Sequence, residues 1–310
     1  MKKSILIIGG TGFIGYHLAH KCLKKNWDVT SISTKKPKKK RFLKKIKYIY
    51  CDISKKKDLE KKLRVKKNYD YIVNLGGHVD HSNKQKTFLS HYVGVKNLSN
   101  YFLNKKTKLF IQFGSGGEYG KMRSPHKENI RKKNLKNYYK AKLSATLYLL
   151  KLYKNKRFPS VILRLYQAYG KYQDVNRLIP IVIQSCLRDK KFACTDGSQI
   201  RDFIHIDDVV SAIFKTIKKN KLITGEIFNI GSGQPRKVKD IINIIQKHIG
   251  RGKPLFGKIN LRKDEQKSTF PSIKKANKIL RWRPKIKFSK GIISTIRSYQ
   301  KIYPLSIHHF

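Results

Sequence analysis

The chain has 310 residues, 39% of them hydrophobic, which is enough apolar material for one large domain or two ordinary ones. No apolar run approaches the roughly 20 residues that span a bilayer, which excludes membrane insertion. Its 72 Lys+Arg against 18 Asp+Glu leave a formal charge of +54, but the lysines scatter over nearly every polar face beside abundant Ile, Asn, Tyr and Phe. That pattern reads as a compositional bias that attracts anionic ligands, and nucleic acid is not expected as a partner despite the charge.

In chain order, Met1–Gly10 begins like a signal peptide, but its apolar stretch is short and runs straight into glycines that suit a folded loop. Ser4–Ile8 predicts a strand, Phe13–Lys25 a helix and Val29–Ser33 a second strand. The basic segment 35–45 follows and is expected to be a mobile loop; its Pro37-Lys38-Lys39-Lys40-Arg41 run is commonplace in a chain this basic. Strands are predicted at Ile46–Tyr50 and Tyr71–Leu75, a long helix at Gln85–Asn104, a strand at Leu109–Phe113, a helix at Tyr138–Lys154 and a strand at Ser160–Leu165. Beyond about residue 166 glycines and prolines interleave with shorter elements, with helices at Arg177–Arg188, Val238–Ile249 and Ser272–Leu280. Cys22, Cys51, Cys186 and Cys194 show no metal-ligand or redox spacing, which predicts reduced thiols in a cytoplasmic protein and no metal site. Repeated strand–helix alternation predicts an α/β, doubly wound parallel sheet over residues 1–165, with its ligand at the carboxyl ends of the strands. Residues 166–310 then form a smaller α/β substrate-binding lobe, with the segment at about 203–216 returning to the first domain.

Gly9-Gly10-Thr11-Gly12-Phe13-Ile14-Gly15 leaves the first predicted strand and opens the first helix. Glycines at 9, 12 and 15 allow a tight turn, a close approach of a pyrophosphate and close helix–sheet packing, and the helix N-terminus offers free N–H groups to an anion. The place beyond the second strand where an acidic residue would hold a free ribose reads Ser31-Ile32-Ser33-Thr34-Lys35-Lys36. Hydroxyls followed by lysines suit a 2′-phosphate, so Ser33 and Lys35 favour NADP over NAD.

Tyr138 and Lys142 stand four residues apart and share a helix face, so an ammonium can sit beside a phenol and lower its pKa. The same spacing recurs at Tyr92/Lys96 and Tyr101/Lys105, so spacing alone does not select Tyr138. Together with the glycine loop, however, Tyr138-x-x-x-Lys142 resembles the extended short-chain dehydrogenase/reductase family, in particular its nucleotide-sugar epimerases, dehydratases and reductases. The resemblance spans essentially the whole chain and implies a Rossmann fold. It implies that Asp52 and Ile53 in Cys51-Asp52-Ile53 lie at the adenine, and that Leu75, Gly76 and Gly77 run beside the cofactor. Phe113–Gly120 looks like the family's Ser-Ser-x-x-x-Tyr-Gly stretch, which makes Ser115 the partner of Tyr138 and Lys142 in catalysis; the latter two also contact the cofactor. In the second lobe the resemblance gives Asn176, Arg201 in Asp196–Val209, and Arg262 in Arg262-Lys263-Asp264 as contacts to substrate phosphates, alongside Ser115 at the substrate oxygen. It also implies a homodimer.

Three departures shape the expected chemistry. Gly116 and Gly117 follow Ser115 where 4,6-dehydratases carry Asp-Glu, so dehydration lacks its acid and base. His91 replaces a helix asparagine near the cofactor, and Glu118 replaces an apolar residue, to touch the sugar or to be solvated or ion-paired. The resemblance therefore implies hydride transfer at a carbon of a nucleotide-linked hexose, C4 first, with 4-keto reduction ahead of C4 epimerisation. The alternative from another class is a dinucleotide-sensing or nucleic-acid-binding protein on the same fold; no RNA-binding motif and no clustered aromatic platform support it.

Overall fold

A computed structural model describes residues 2–64, 68–77, 83–129, 135, 137–261 and 265–302. Strands run at Ser4–Ile8 (β1), Asp28–Ser33 (β2), Lys47–Tyr50 (β3), Tyr71–Asn74 (β4), Leu109–Ser115 (β5) and Ser160–Leu165 (β6). The second half adds Gln167–Tyr169 (β7), Lys191–Ala193 (β8), Ile200–His205 (β9), Ile227–Ile230 (β10), Pro235–Lys237 (β11), Lys253–Leu255 (β12) and Ser268–Thr269 (β13). A seven-stranded sheet has the order β10-β6-β5-β4-β1-β2-β3, every pairing in it parallel. Its inner strands are apolar runs because both faces are covered: Ile5, Leu6 and Ile7 are fully buried. The order turns at β1, so a crevice opens at the carboxyl ends of β1 and β4.

The helices are Phe13–Lys24 (α1), Lys56–Leu63 (α2), Lys84–Phe88 (α3), Gly94–Phe102 (α4), Asn137–Lys156 (α5), Leu178–Leu187 (α6), Ile206–Lys218 (α7), Asn220–Ile223 (α8), Val238–Ile249 (α9), Lys274–Leu280 (α10) and Phe288–Ile302 (α11). One face of the sheet buries Leu18 and Cys22 of α1 with Val209 and Ile213 of α7. The other buries Leu98 and Phe102 of α4 with Ala145 and Leu149 of α5. A third cluster, with Ile183 of α6, Ile242 of α9 and Ile296 of α11, forms the core of the second lobe. That lobe also holds the sheet β11-β9-β13, with β7 paired to β9, and the pair β12-β8. The second half of the chain thus returns to the large sheet through α7 and through β10, whose Ile227–Ile230 pair with Ile162–Leu165 of β6.

Two expectations are corrected. The long helix at Gln85–Asn104 is interrupted by a π-helical turn at Leu89–Val93 between α3 and α4; the wider turn carries one extra residue and sets the buried His91 ring against Gly77. The segment 35–45 is more than a loop: it holds a 3-10 turn at Lys39–Arg41 that is anchored by its side chains. Arg41 is 3% exposed, and its guanidinium donates to the Tyr172 carbonyl and, at 3.0 Å, to Asp174, while Lys38 pairs with Asp174 at 3.2 Å. Among the described residues no helix is long and apolar enough to cross a membrane, no cluster of side chains could hold a metal ion, and the four cysteines are buried free thiols.

Candidate active site

The glycine loop is built by close approach. Gly9 adopts φ +79°, and a Cβ there would lie 3.1 Å from the Leu75 carbonyl carbon and from the Gly76 nitrogen. Gly15 is tighter: its Cβ would meet the Gly9 carbonyl oxygen at 2.3 Å and the Gly10 Cα at 2.6 Å, so α1 rests directly on the loop. Gly12 caps α1 without a side-chain hydrogen bond, and no acidic residue stands in the first turn, where Phe13 and Ile14 are half-buried. Unneutralised N–H groups above a floor that excludes side chains fit the pyrophosphate of a dinucleotide.

Around this cradle the predicted cofactor residues take definite places. Ser33, at the end of β2, accepts from the Thr11 N–H at 3.3 Å and donates to the Ile32 carbonyl at 2.8 Å, so its hydroxyl braces the loop. Lys35 is exposed beyond it. Asp52 accepts from the Ser54 N–H at 2.9 Å and from its hydroxyl at 2.8 Å, and the carbonyl of the buried Ile53 accepts from Asn97 at 3.0 Å. Leu75, Gly76 and Gly77 follow β4. The buried Asn74 accepts from the Gly76 N–H at 3.0 Å, and a Cβ on Gly77 would fall within the His91 ring.

Ser115, Tyr138 and Lys142 come together at the carboxyl end of β5. Ser115 caps a short 3-10 turn, Gly116–Tyr119: its hydroxyl accepts from the Gly117 N–H at 3.1 Å, and its own N–H donates to Glu118 Oε1 at 2.8 Å. Tyr138 and Lys142 lie one turn apart on α5. The Ser115 side chain lies close enough to Tyr138 to lower its phenol, and the His91 ring meets the Tyr138 ring edge-on at 5.0 Å. Lys142 is buried, and its Nζ donates to the Phe113 carbonyl at 2.8 Å. Burial raises the Tyr138 phenol, the Tyr139 ring and the Glu118 charge raise it further, and Arg177 and Ser115 pull it down. The sequence expects Lys142 to lower this phenol; in the folded chain desolvation outweighs Arg177 and Ser115, and the net direction is up. Burial also draws Lys142 down to about 8, against the opposing charge of Glu118.

The two glycines after Ser115 face aromatic rings. A Cβ on Gly117 would fall 1.7 Å from Tyr139 Cε1, and one on Gly116 would fall 2.7 Å from Tyr166 Cε1. With the rings where they stand, a side chain at either place would have to displace them. Glu118 is buried in an ion pair with Arg164 at 3.0 Å, which decides between the environments its sequence position left open.

On the substrate side, Asn176 is exposed in the loop before α6. Arg177, beside it at the N-cap of α6, was passed over in the sequence; its charge acts on Tyr138, and nothing in a chain with 72 basic residues marked it. Arg201, on β9, is 9% exposed, donates to the Ile200 carbonyl at 2.8 Å and is ion-paired with Glu265. A cavity of about 580 Å³ opens between Lys121–Ser124, just past the Ser115 turn, and Glu265–Ser268. Arg262 lies outside the described residues.

Residues 5–231 match the family described as the NAD dependent epimerase/dehydratase family. The chain is 28% identical to the CDP-abequose synthase of Salmonella muenchen over 278 residues, 86% of this chain and 87% of the relative. It is 25% identical to the dTDP-4-dehydro-6-deoxyglucose reductase of Escherichia coli over 311 residues, 96% and 98% of the two chains. Among solved structures, the UDP-glucuronic acid 4-epimerase of Bacillus cereus, in complex with UDP-glucuronic acid and NAD, superposes with a TM-score of 0.87 at 27% identity, covering 98% of this chain and all of that one.

Proposed function

The chain belongs to the NAD dependent epimerase/dehydratase family, and from that premise we propose that it carries out redox chemistry at C4 of a nucleotide-linked hexose, with 4-keto reduction ahead of C4 epimerisation. The observation that carries this reading is the convergence at the end of β5: Lys142 is buried on the Phe113 carbonyl, Tyr138 lies one turn before it under the influence of Ser115, and the His91 ring touches both Tyr138 and Gly77. Bound NADP or NAD would supply the hydride donor or acceptor. In the reductive direction Tyr138 gives its proton to the oxygen that forms at C4; in the oxidative direction it takes that proton. A phenol raised by burial is well suited to the first role, because it stays protonated until a developing alkoxide needs the proton. Ser115 orients the substrate oxygen towards Tyr138. Lys142, fixed on the Phe113 carbonyl, holds the cofactor side of the site. Gly9, Gly12, Phe13, Ile14 and Gly15 would receive the pyrophosphate, with Asp52 and Ile53 towards the adenine and Leu75, Gly76 and Gly77 along the chain between. Asn176, Arg201 and Arg262 would grip the substrate's diphosphate, with Glu265 giving way on Arg201 to a phosphate. Remote binding of this kind fixes the reacting carbon.

Dehydration is not part of the proposal, since Gly116 and Gly117 follow Ser115 and carry no carboxyl groups. The absence of an acid from Ser31–Lys36 and the exposed Lys35 favour NADP. The NAD held by the Bacillus cereus relative favours the epimerase reading with retained cofactor. The reading extends to a cytoplasmic homodimer, which sedimentation would measure. The test is NADPH consumption on 4-keto-6-deoxy nucleotide sugars, with mass spectrometry of any cofactor that copurifies. Consumption supports the reductase; retained NAD without net consumption replaces it with the epimerase; neither, with RNA bound tightly at physiological salt, overturns the enzyme reading. Tyr138→Phe should lower kcat by about 10²–10⁴-fold while cofactor binding persists.

A further inference from the structure

We propose that Glu118 is the positioning residue of this site, a buried carboxylate that locks Ser115 to the helix face carrying Tyr138 and Lys142. The inference rests on the Ser115–Tyr138–Lys142 reading above. Glu118 is 1% exposed and its two oxygens take three donors from three elements. Oε1 accepts the Ser115 N–H of β5 at 2.8 Å, and Oε2 accepts the Thr146 hydroxyl of α5 at 2.8 Å and Arg164 Nε of β6 at 3.0 Å. Thr146 stands one helical turn beyond Lys142 and two beyond Tyr138, on the same stripe of α5. Gly114 leaves the space: a Cβ there would meet Glu118 Oε1 at 2.4 Å. Arg164, itself 1% exposed, lays its guanidinium over the Tyr119 ring at 4.5 Å, and Tyr119 is anchored through its hydroxyl to Asn229 at 2.7 Å.

Stability is a poor reason for this arrangement, because a buried ion pair gives little over an apolar pair of equal volume. Its geometry points to the catalytic groups instead. With its oxygens committed to Ser115, Thr146 and Arg164, Glu118 acts through Ser115, Tyr138 and Lys142 and not on substrate. Its negative charge also reaches both titrating groups. It holds the Tyr138 phenol up, alongside Tyr139 and against Arg177 and Ser115, and it opposes the desolvation that draws Lys142 down.

The test compares Glu118→Gln with Thr146→Val, which loses one hydrogen bond and keeps the charge. In Glu118→Gln the pH limbs of kcat/KM governed by Tyr138 and Lys142 should move to lower pH by roughly one unit or more, and kcat should fall more than KM changes. In Thr146→Val the limbs should stay in place. Should the single variant fail to fold, Glu118→Gln/Arg164→Met removes both buried charges and is read the same way, with a smaller displacement. A folded variant whose profile superimposes on that of the parent, or is merely scaled down at every pH, overturns the proposal. The Lys142 titration, followed by NMR of nitrogen-labelled lysine and assigned with Lys142→Met, gives a readout without substrate. If the parent protein turns over no sugar, the functional reading fails separately. The Glu118 inference then stands if Lys142 titrates below its parent value of about 8 in Glu118→Gln, and falls if it does not.

Discussion

Lys142 carries a cost that its pKa makes measurable. Burial lowers it from 10.5 to about 8. Below about pH 8 the folded and the unfolded chain both hold the proton, and burying that charge costs stability in full. Between about 8 and 10.5 the folded chain releases its proton first, the unfolded chain binds more, and stability rises with pH until both are neutral. Lys142→Met should therefore stabilise the protein at neutral pH by about 2 kcal/mol, after loss of the hydrogen bond to Phe113. The gain should vanish as pH passes 10.5, read from urea melts across pH, while turnover falls. A destabilised Lys142→Met at neutral pH would contradict this balance. At this scale helix period offered three Tyr-x-x-x-Lys pairs, and only the resemblance, through the placement of Ser115, picked out Tyr138 and Lys142. Their partners were not legible. Glu118 stood out as a carboxylate in an apolar place, but Arg164 and Thr146 had no mark, since a pattern of cations in so basic a chain cannot rank which one is buried.

Elements were legible where the physics is local. β1 and β6 were read with their observed bounds, because a strand covered on both faces is a bare apolar run. The π-turn at Leu89–Val93 was not legible; a one-residue widening leaves the helical apolar pattern almost intact, and its contact, His91 on Gly77, joins residues distant in the chain. Helix α2, KKDLEKKL, buries only Leu59 and Leu63 and gave too short a stripe to recognise. The loop–helix contact at Gly15 yields a direct test. Gly15→Ala would press a methyl group into the Gly9 carbonyl at 2.3 Å, so α1 must lift off the loop. A loss of about 1–3 kcal/mol in stability should accompany at least a tenfold weaker cofactor Kd, measured by thermal melts and by fluorescence titration with NADPH and NADH. Unchanged affinity would remove the glycine loop from the cofactor site.

At the scale of the whole molecule, Arg41 joins the loop after β2 to the 172–174 turn of the second lobe. Arg41→Ala should cost about 1.5–3 kcal/mol locally and raise hydrogen exchange across 35–45 while the central sheet stays protected. The +54 charge acts at the same scale. If it draws in an anionic substrate, kcat/KM should fall roughly tenfold between low and high salt with kcat little changed; a flat profile would leave the charge without a part in catalysis. By itself the sequence determined the strand–helix alternation, the glycine loop after the first strand and the three places where a Tyr and a Lys share a helix face. These depend on residues a few positions apart and on the fixed periods of helix and strand. Only the tertiary structure decided that Glu118 meets Thr146 and Arg164, that Arg41 closes on Asp174, and that desolvation prevails over Arg177 at Tyr138. Those partners are distant in the chain, and whether two charges attract strongly or weakly depends on how far apart and how dry the fold leaves them.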